Sequence, residues 1–142
     1  MNYPTVFATV DVIIRKDGKL LLGRKAKQNK FRFLGGFADP ALDHSYEDAA
    51  KREAKEESDL DVQEVRYLGS TRIDDPRYRG TEHCIITHLF IAEEWSGEPI
   101  ASDDIAELRW FEESTLTEND FVDEHHVLWN LFKRASERET QV

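Results

Sequence analysis

The chain has 142 residues and one cysteine, Cys84, so it is long enough for one domain with a buried core but cannot form an internal disulfide. Its 29 acidic and 19 basic residues give a formal charge of −10, which disfavours long nucleic acids because their binding depends on neutralising phosphates. With no basic and apolar leader after Met1 and no apolar run long enough to cross a membrane, the sequence predicts a soluble, cytoplasmic single domain over residues 1–142.

The predicted elements follow one another without a linker or a repeat. Alternating or β-branched patterns predict strands, and Asp17-Gly18 predicts a hairpin turn between the first two. Apolar residues spaced three and four apart predict two helices. The strands are predicted at residues 6–14, 19–23, 62–70, 83–91 and 106–111, and the helices at 45–58 and 120–135, with residues 31–34 and the pair Gly35-Gly36 between the second strand and the first helix. This order predicts an α/β fold in which a mixed sheet is covered by helices on both faces.

The first helix carries the most informative pattern. Ser45, with Asp48 three residues later, has the form of a capping box and predicts the start of the helix. At roughly 100° per residue, one side of the helix collects six residues: Tyr46, Ala49, Ala50, Glu53, Glu56 and Glu57. The inward stripe therefore begins apolar and ends in three carboxylates.

Two interpretations of these carboxylates remain open on geometry alone. They can be the solvated acidic end of a helix, although negative charge opposes the dipole there and unpaired buried carboxylates are costly. They can also hold divalent cations, and oxygen ligands favour Mg²⁺ or Mn²⁺. Arg52, four residues before Glu56, is placed to brace the cluster. The metal interpretation is the better supported.

Residues 52–60 read Arg-Glu-Ala-Lys-Glu-Glu-Ser-Asp-Leu and resemble the core of the Nudix box, Arg-Glu-apolar-x-Glu-Glu-x-Gly-apolar. Gly35-Gly36 also stands ahead of the helix, as in that family. The resemblance implies a Nudix-type α/β/α sandwich and a metal-dependent hydrolase. It implies that Arg52 orients a glutamate and that the Mg²⁺ ligands are Glu53, Glu56 and Glu57, with the Gly35 carbonyl as a further candidate.

The sequence departs from the box at three places. The segment between Gly36 and the helix carries a two-residue insertion, and His44 stands where the box has its first glutamate. Asp59 replaces the glycine that ends the helix in a left-handed conformation, which aspartate tolerates better than most residues. None of these changes removes one of the three core glutamates.

Residues 74–80 concentrate basic and aromatic groups in a chain short of positive charge. Arginine forks suit phosphate oxygens, and a tyrosine ring can stack on a base. A solvated β-turn is an equally good interpretation from chemistry alone. The segment also resembles the Pro-Arg-x-x-Arg-Gly stretch of Nudix proteins of the ADP-ribose pyrophosphatase type. The resemblance implies that the substrate is bound by Arg77, Tyr78 and Arg79.

Later acids supply the candidates for a catalytic base, which the resemblance places in a late loop. Glu107 and Asp104 are the two candidates, although a surface acid alone is more often inert. Adjacent His125 and His126 have poor geometry for one shared metal, and His125 falls on the apolar stripe of the second helix.

The predicted reaction is hydrolysis of a nucleoside diphosphate derivative, of the ADP-ribose or nucleotide-sugar type, to a nucleoside monophosphate and a phosphorylated product. One alternative is a house-cleaning nucleoside triphosphate pyrophosphatase. Another is a Nudix-like sensor that binds the nucleotide without cutting it, although such sensors often lose box acids. The partner is then a small nucleotide, and neither a membrane nor long nucleic acid. A homodimer is compatible with the sequence.

Overall fold

A computed structural model describes residues 3–140 of the chain. Residues 1–2 and 141–142, where the predicted domain begins and ends, lie outside the described residues. The strands are β1 Val6–Lys16, β2 Lys19–Lys25, β3 Leu34–Phe37, β4 Asp61–Ile73, β5 Cys84–Ser96 and β6 Ile105–Glu112. The helices are α1 Tyr46–Ser58 and α2 His126–Thr140. Neither of these helices is long and apolar enough to span a membrane.

The strands form one mixed sheet in the order β4-β5-β1-β2-β6, with β3 paired to β1 off this path. β1 is parallel to β5 and antiparallel to β2 and β3. Asp17 and Gly18 both have positive φ, so the predicted hairpin between β1 and β2 is confirmed. β1 is the central strand: its first half pairs with β3 and its end pairs with β2.

The two helices lie on opposite faces of this sheet. Alternate residues of β1 point to opposite sides, so Val10 and Val12 pack in one core cluster with the alanines of α1. Ile13 packs in the other cluster with Leu128 and Phe132 of α2. The predicted α/β fold with helices on both faces is therefore confirmed.

The structure differs most from the sequence prediction at two places. The sequence pattern assigned no strand ahead of the first helix beyond the second strand, whereas the structure has β3 at Leu34–Phe37, paired with β1, and Phe31 and Arg32 make isolated bridges. The helix predicted from residue 120 begins at His126, since Val122 is extended and short 3₁₀ turns occupy 118–120 and 123–125. Phe121 therefore packs from outside the helix.

Both ends of α1 agree with the sequence prediction. The Ser45 hydroxyl oxygen accepts a hydrogen bond from the Asp48 backbone N–H at 3.0 Å. Asp59 has φ 61° and ψ 15°, the left-handed conformation, and its N–H donates to the Lys55 carbonyl. The Asp59 carboxylate also lies 3.1 Å from Lys55 Nζ, but both side chains are about half exposed, so this ion pair contributes little.

We expect Asp59→Gly to stabilise the protein by about 0.4–1 kcal/mol, because glycine adopts the left-handed backbone without a Cβ penalty. Urea unfolding of both proteins measures this difference. Asp59→Ala is the control: it also removes the contact with Lys55 but keeps the backbone strain, so it is expected to destabilise. A loss of stability in the glycine variant would mean that the Asp59 side chain outweighs the backbone strain.

Candidate active site

Helix α1 buries two of its three candidate carboxylates. Glu53 is 7% exposed and Glu57 4% exposed, whereas the Glu56 side chain is 43% exposed. The buried face continues through Ala54 and Ser58. The structure thus places two predicted ligands on the inner face of the helix and the third at its exposed edge.

The glycine pair of β3 lies directly against these carboxylates. The Gly35 N–H donates to Glu57 Oε1 at 2.9 Å. A Cβ atom on Gly36 would stand 2.6 Å from Glu53 Oε1, and one on Gly35 would stand 2.0 Å from the Val10 carbonyl oxygen. The Gly35 clash is with backbone, so the close approach of β3 to β1 requires glycine there, whereas a Cβ on Gly36 would displace the Glu53 carboxylate.

Arg52 connects the acids of α1 to the inserted segment ahead of the helix. Its Nη1 donates to Glu53 at 3.1 Å and to Glu56 at 3.1 Å. Its Nε and Nη2 donate to the two Asp43 carboxylate oxygens, each at 2.8 Å, and this bond lowers the pKa of Asp43. Arg52 therefore braces the cluster as predicted, and the buried Asp43 carboxylate, next to His44, holds Arg52 in place.

The loop between β5 and β6 brings two further carboxylates to the end of α1. The Ile100 N–H donates to the Ser58 carbonyl at 2.8 Å and the Ser102 N–H to the Glu57 carbonyl at 3.2 Å. These bonds satisfy carbonyls that the end of a helix leaves without partners. As a result Glu57, Asp103 and Asp104 each offer a carboxylate oxygen, and these atoms lie within 4.8 Å of one another.

Burial perturbs the ionisation of the acids on α1. Loss of solvent raises the pKa of Glu57 to about 8, opposed by its hydrogen bond from Gly35 and reinforced by Glu53 and Asp104. Burial also raises the pKa of Glu53, and the charge of Arg52 opposes this shift. Two buried carboxyl groups whose charged forms are disfavoured lie together where a cation would stabilise them.

Glu107, the predicted base, lies elsewhere. It faces Arg24 across the β2–β6 pair, accepts from Arg24 Nε at 3.0 Å and forms an ion pair with Arg109 at 2.7 Å. These bonds lower the pKa of Glu107. Among the described residues, Glu107 does not belong to the set of converging carboxylates that Glu57, Asp103 and Asp104 form.

A cavity of about 460 Å³ opens over these carboxylates, a volume in the range of small-molecule sites. Three cationic side chains of the described residues line it: Lys25, Arg32 and Arg77. Seven acidic residues line it as well: Asp11, Glu53, Glu57, Asp75, Asp103, Asp104 and Glu124. A diphosphate cannot bind favourably among seven acids unless further cations are present.

The donor set fits a hard divalent cation. Carboxylate oxygens are the ligands that Mg²⁺ and Mn²⁺ prefer, and Glu57, Asp103 and Asp104 already converge. Glu53 is buried on the same side of α1, one turn earlier. The crowding of buried acids, which is costly without a counter-charge, is the observation that supports a metal at this place.

Of the predicted substrate residues, Arg77 reaches the cavity. Its Nη2 lies 2.8 Å from Asp75 Oδ2, and its guanidinium carbon lies 5.4 Å from the centroid of the Phe37 ring. Arg77, Asp75 and Phe37 all line the cavity. Arg77 is therefore placed to meet a ligand, although its charge is already shared with Asp75.

Arg79 and Tyr78 are placed differently. Arg79 pairs with Asp74 at 2.9 Å, and its side chain is 61% exposed. The Tyr78 ring stacks on Phe7 with centroids 4.9 Å apart. Neither residue lines the cavity in the described part of the chain. The three residues predicted as one group are thus divided, with only Arg77 at the site.

The sequence prediction missed three acids of this region. Asp43 and Asp103 lie in loops whose positions depend on distant contacts, so no local pattern identifies them. Asp11 had a visible signal, because a charged residue stands within the apolar strand β1. In the structure Asp11 is 7% exposed and lines the cavity.

Comparisons with known proteins identify the family of the chain. A family model of the NUDIX domain matches residues 5–130. The NAD-capped RNA hydrolase NudC of Vibrio atlanticus is 33% identical over 72 residues, covering 49% of this chain and 26% of that protein. The oxidized purine nucleoside triphosphate hydrolase of Danio rerio is 30% identical over 104 residues, covering 71% of this chain and 63% of that protein. The chain therefore spans less than two thirds of either relative.

Solved structures share the fold. The crystal structure of a MutT NUDIX hydrolase from Burkholderia pseudomallei matches with a TM-score of 0.74 and 20% identity. The match covers 89% of this chain and 98% of that chain. The shared fold therefore includes most of this chain.

The raised pKa of Glu57 predicts how stability depends on pH and metal. Its carboxyl has a pKa of about 8 when folded and an ordinary value of 4.5, so between these values the folded chain binds more protons than the unfolded chain. Stability contributed through Glu57 therefore falls as pH rises through this window. We expect the Tm of the metal-free protein to fall from pH 5 to pH 8, and Mg²⁺ to raise it more at pH 8.

Thermal unfolding with EDTA or Mg²⁺ tests this expectation. Glu57→Gln should weaken both the pH dependence and the metal effect, since the amide does not titrate. Glu64→Gln changes an exposed carboxylate on β4 and should leave both intact. An Mg²⁺ effect that is equal at the two pH values, or unchanged in Glu57→Gln, would contradict the metal site.

Proposed function

Because the chain belongs to the NUDIX family, we propose that it is a metal-dependent hydrolase that cleaves the diphosphate bond of small nucleoside diphosphate derivatives. One observation carries the proposal: carboxylate oxygens of Glu57, Asp103 and Asp104 converge within 4.8 Å, and all three residues line a cavity of nucleotide size. Converging acids at a cavity repel a polyphosphate when no cation is present. They are suited to holding cations that in turn bind the polyphosphate.

The proposed metal is Mg²⁺ or Mn²⁺. When bound, it supplies charge neutralisation of the diphosphate and a lowered pKa for an attacking water. The late-loop carboxylates of Asp103 and Asp104 extend the ligand set beyond the one that the Nudix box implies. That box set consists of Glu53, Glu56, Glu57 and the Gly35 carbonyl.

The other residues of the site bind and orient. Arg52 fixes the Glu53 and Glu56 carboxylates, so it acts as a positioning residue rather than on the substrate. Lys25, Arg32 and Arg77 line the cavity and donate to phosphate oxygens.

We place the proton acceptor for the attacking water on one of the two aspartates of the late loop. A general base must reach the water, and its pKa must be high enough for it to take up the proton. Glu107 was the sequence candidate, but two arginines occupy its carboxylate and lower its pKa. Asp103 and Asp104 line the cavity and meet the geometric requirement better.

The proposed substrate is of the ADP-ribose or nucleotide-sugar type. Arg77 at the cavity, beside Phe37, supports a ligand with a diphosphate flanked by further groups. The Vibrio relative is named as a NAD-capped RNA hydrolase, which supports a substrate of the dinucleotide type.

A nucleoside triphosphate pyrophosphatase is the second candidate. The relative from Danio rerio supports it, since that protein is named as an oxidized purine nucleoside triphosphate hydrolase and its match covers 71% of this chain. The same carboxylates would serve either reaction, because both substrates present a diphosphate. The two candidates therefore differ in the groups on either side of the diphosphate.

A substrate panel with Mg²⁺ tests the proposal. We expect ADP-ribose or a nucleotide sugar to have a higher kcat/KM than any standard triphosphate, with release of a nucleoside monophosphate and a phosphorylated product. Glu57→Gln should lower kcat by orders of magnitude while circular dichroism stays native, and Glu64→Gln should match the wild type. Release of pyrophosphate from a preferred triphosphate would support the second candidate. Near-normal turnover in Glu57→Gln would reject the metal assignment.

A pair of arginine variants tests which part of the loop binds substrate. Arg77→Ala should raise KM for ADP-ribose by about tenfold with little change in kcat, because a charged hydrogen bond to a phosphate made in both ground and transition states is lost. Arg79→Ala is the matched control, since Arg79 is equally exposed but pairs with Asp74 away from the cavity. An equal or larger effect in Arg79→Ala would contradict this assignment.

A further inference from the structure

The floor of the cavity holds two buried polar side chains that the proposed hydrolysis does not use. Asp11 lies on β1, and His125 lies in the 3₁₀ turn just before α2. Each residue is 7% exposed, and both line the cavity. Each presents to the cavity a polar atom that makes no hydrogen bond within residues 3–140, and a ligand can supply the partner.

The contacts of His125 fix which ring nitrogen carries the proton. The Phe33 backbone N–H donates to His125 Nδ1 at 3.1 Å, so Nδ1 is the acceptor and Nε2 carries the hydrogen. Burial lowers the pKa of His125 to about 3, which keeps the ring neutral. Phe33 also stacks on the imidazole with ring centroids 5.9 Å apart. The Nε2–H is therefore a donor with a fixed direction.

Asp11 presents an oxygen beside this donor. The Thr87 hydroxyl donates to Asp11 Oδ2, which leaves Oδ1 without a hydrogen bond among residues 3–140. Asp11 Oδ1 lies 3.8 Å from His125 Nε2, too far for the two groups to satisfy each other. An N–H donor and a carboxyl oxygen thus lie side by side at the floor of the cavity, and each is free to form a hydrogen bond with a ligand.

We propose that Asp11 and His125 form the nucleobase subsite of this chain, where they bind a base edge that carries a hydrogen-bond acceptor next to an N–H donor. This inference rests on the proposed function for the class of ligand. Protein groups that bind two neighbouring atoms of a base edge are a common means of base recognition. The acceptor of the base meets His125 Nε2–H, and its N–H group meets Asp11 Oδ1.

The chemistry of the floor disfavours the other parts of a nucleotide. A phosphate offers acceptors alone and would meet the Asp11 carboxyl in a cavity already rich in acids. Glu53 and Glu57 line the same cavity, so a nucleotide with its base on the floor has its phosphates within the reach of the proposed metal site.

Nucleoside binding without metal tests the subsite separately from hydrolysis. Uncharged adenosine, guanosine and cytidine are titrated into the protein with EDTA and followed by NMR, with ribose as the base-free reference. His125→Asn keeps an acceptor for the Phe33 N–H but removes the Nε2 donor. His126→Asn is the matched control, because His126 is the next residue but contacts the Phe121 carbonyl instead.

We expect the wild type to bind at least one nucleoside and to bind ribose undetectably. His125→Asn should weaken nucleoside binding by about ten- to a hundredfold, the cost of losing a paired base contact, whereas His126→Asn should match the wild type. Asp11→Asn keeps the shape and the Thr87 contact, so it should fold and should change the rank order of the nucleosides. If His125→Asn does not fold, Asp11→Asn alone tests whether these residues bind the base.

Wild-type levels of nucleoside binding in both variants, within about twofold, or equal binding of ribose and nucleosides, would overturn the subsite. Failure of the hydrolase proposal gives a different pattern: the substrate panel shows no turnover, yet His125→Asn still weakens nucleoside binding. If the wild type turns over a substrate of the panel and both variants bind nucleosides as the wild type does, the subsite is rejected and the hydrolase proposal stands.

Discussion

The contact between the glycine pair of β3 and the buried carboxylates of α1 is the constraint on which the rest of the site depends. Gly36 leaves space for Glu53, and the Gly35 N–H binds Glu57, so the helix is held against the strand by its acidic residues. β3 in turn pairs with the central strand β1 at Val10. A side chain at Gly35 would push β3 away from β1, and one at Gly36 would displace the Glu53 carboxylate from its place against the strand.

This arrangement buries carboxylates at positions where apolar side chains would give a more stable fold. Two carboxylates are buried, and burial raises the pKa of Glu57 to about 8. The surrounding acids add repulsion within a chain of formal charge −10. Buried charge without a counter-ion lowers stability, so the site is a place where stability is given up for binding. The proposed divalent cation would remove this conflict and would make the acidic cavity accessible to a diphosphate.

Local patterns predicted both ends of α1, at Ser45 and Asp59, because helix capping depends on residues that are close in sequence. Spacing placed Glu53 and Glu57 correctly on the buried face, but Glu56, predicted on the same stripe, is 43% exposed. The remaining parts of the site depend on contacts between distant residues. Asp103 reaches α1 through backbone bonds made by its loop, and Glu107 is withdrawn because strand register sets it opposite Arg24. Spacing in sequence carries no information about either event.

The same distinction separates the proposed chemistry from the proposed base recognition. The diphosphate-binding acids come mostly from one helix, whereas the floor of the cavity is assembled from β1, β5 and the turn before α2. Asp11 and Thr87 are 76 positions apart, and Phe33 and His125 are 92 apart. Neither Asp11 nor His125 is among the proposed metal ligands, so the proposal assigns base recognition and bond cleavage to different residues. These residues meet in one cavity, and β1 joins them, because Asp11 pairs with Gly35 and the Gly35 N–H binds Glu57.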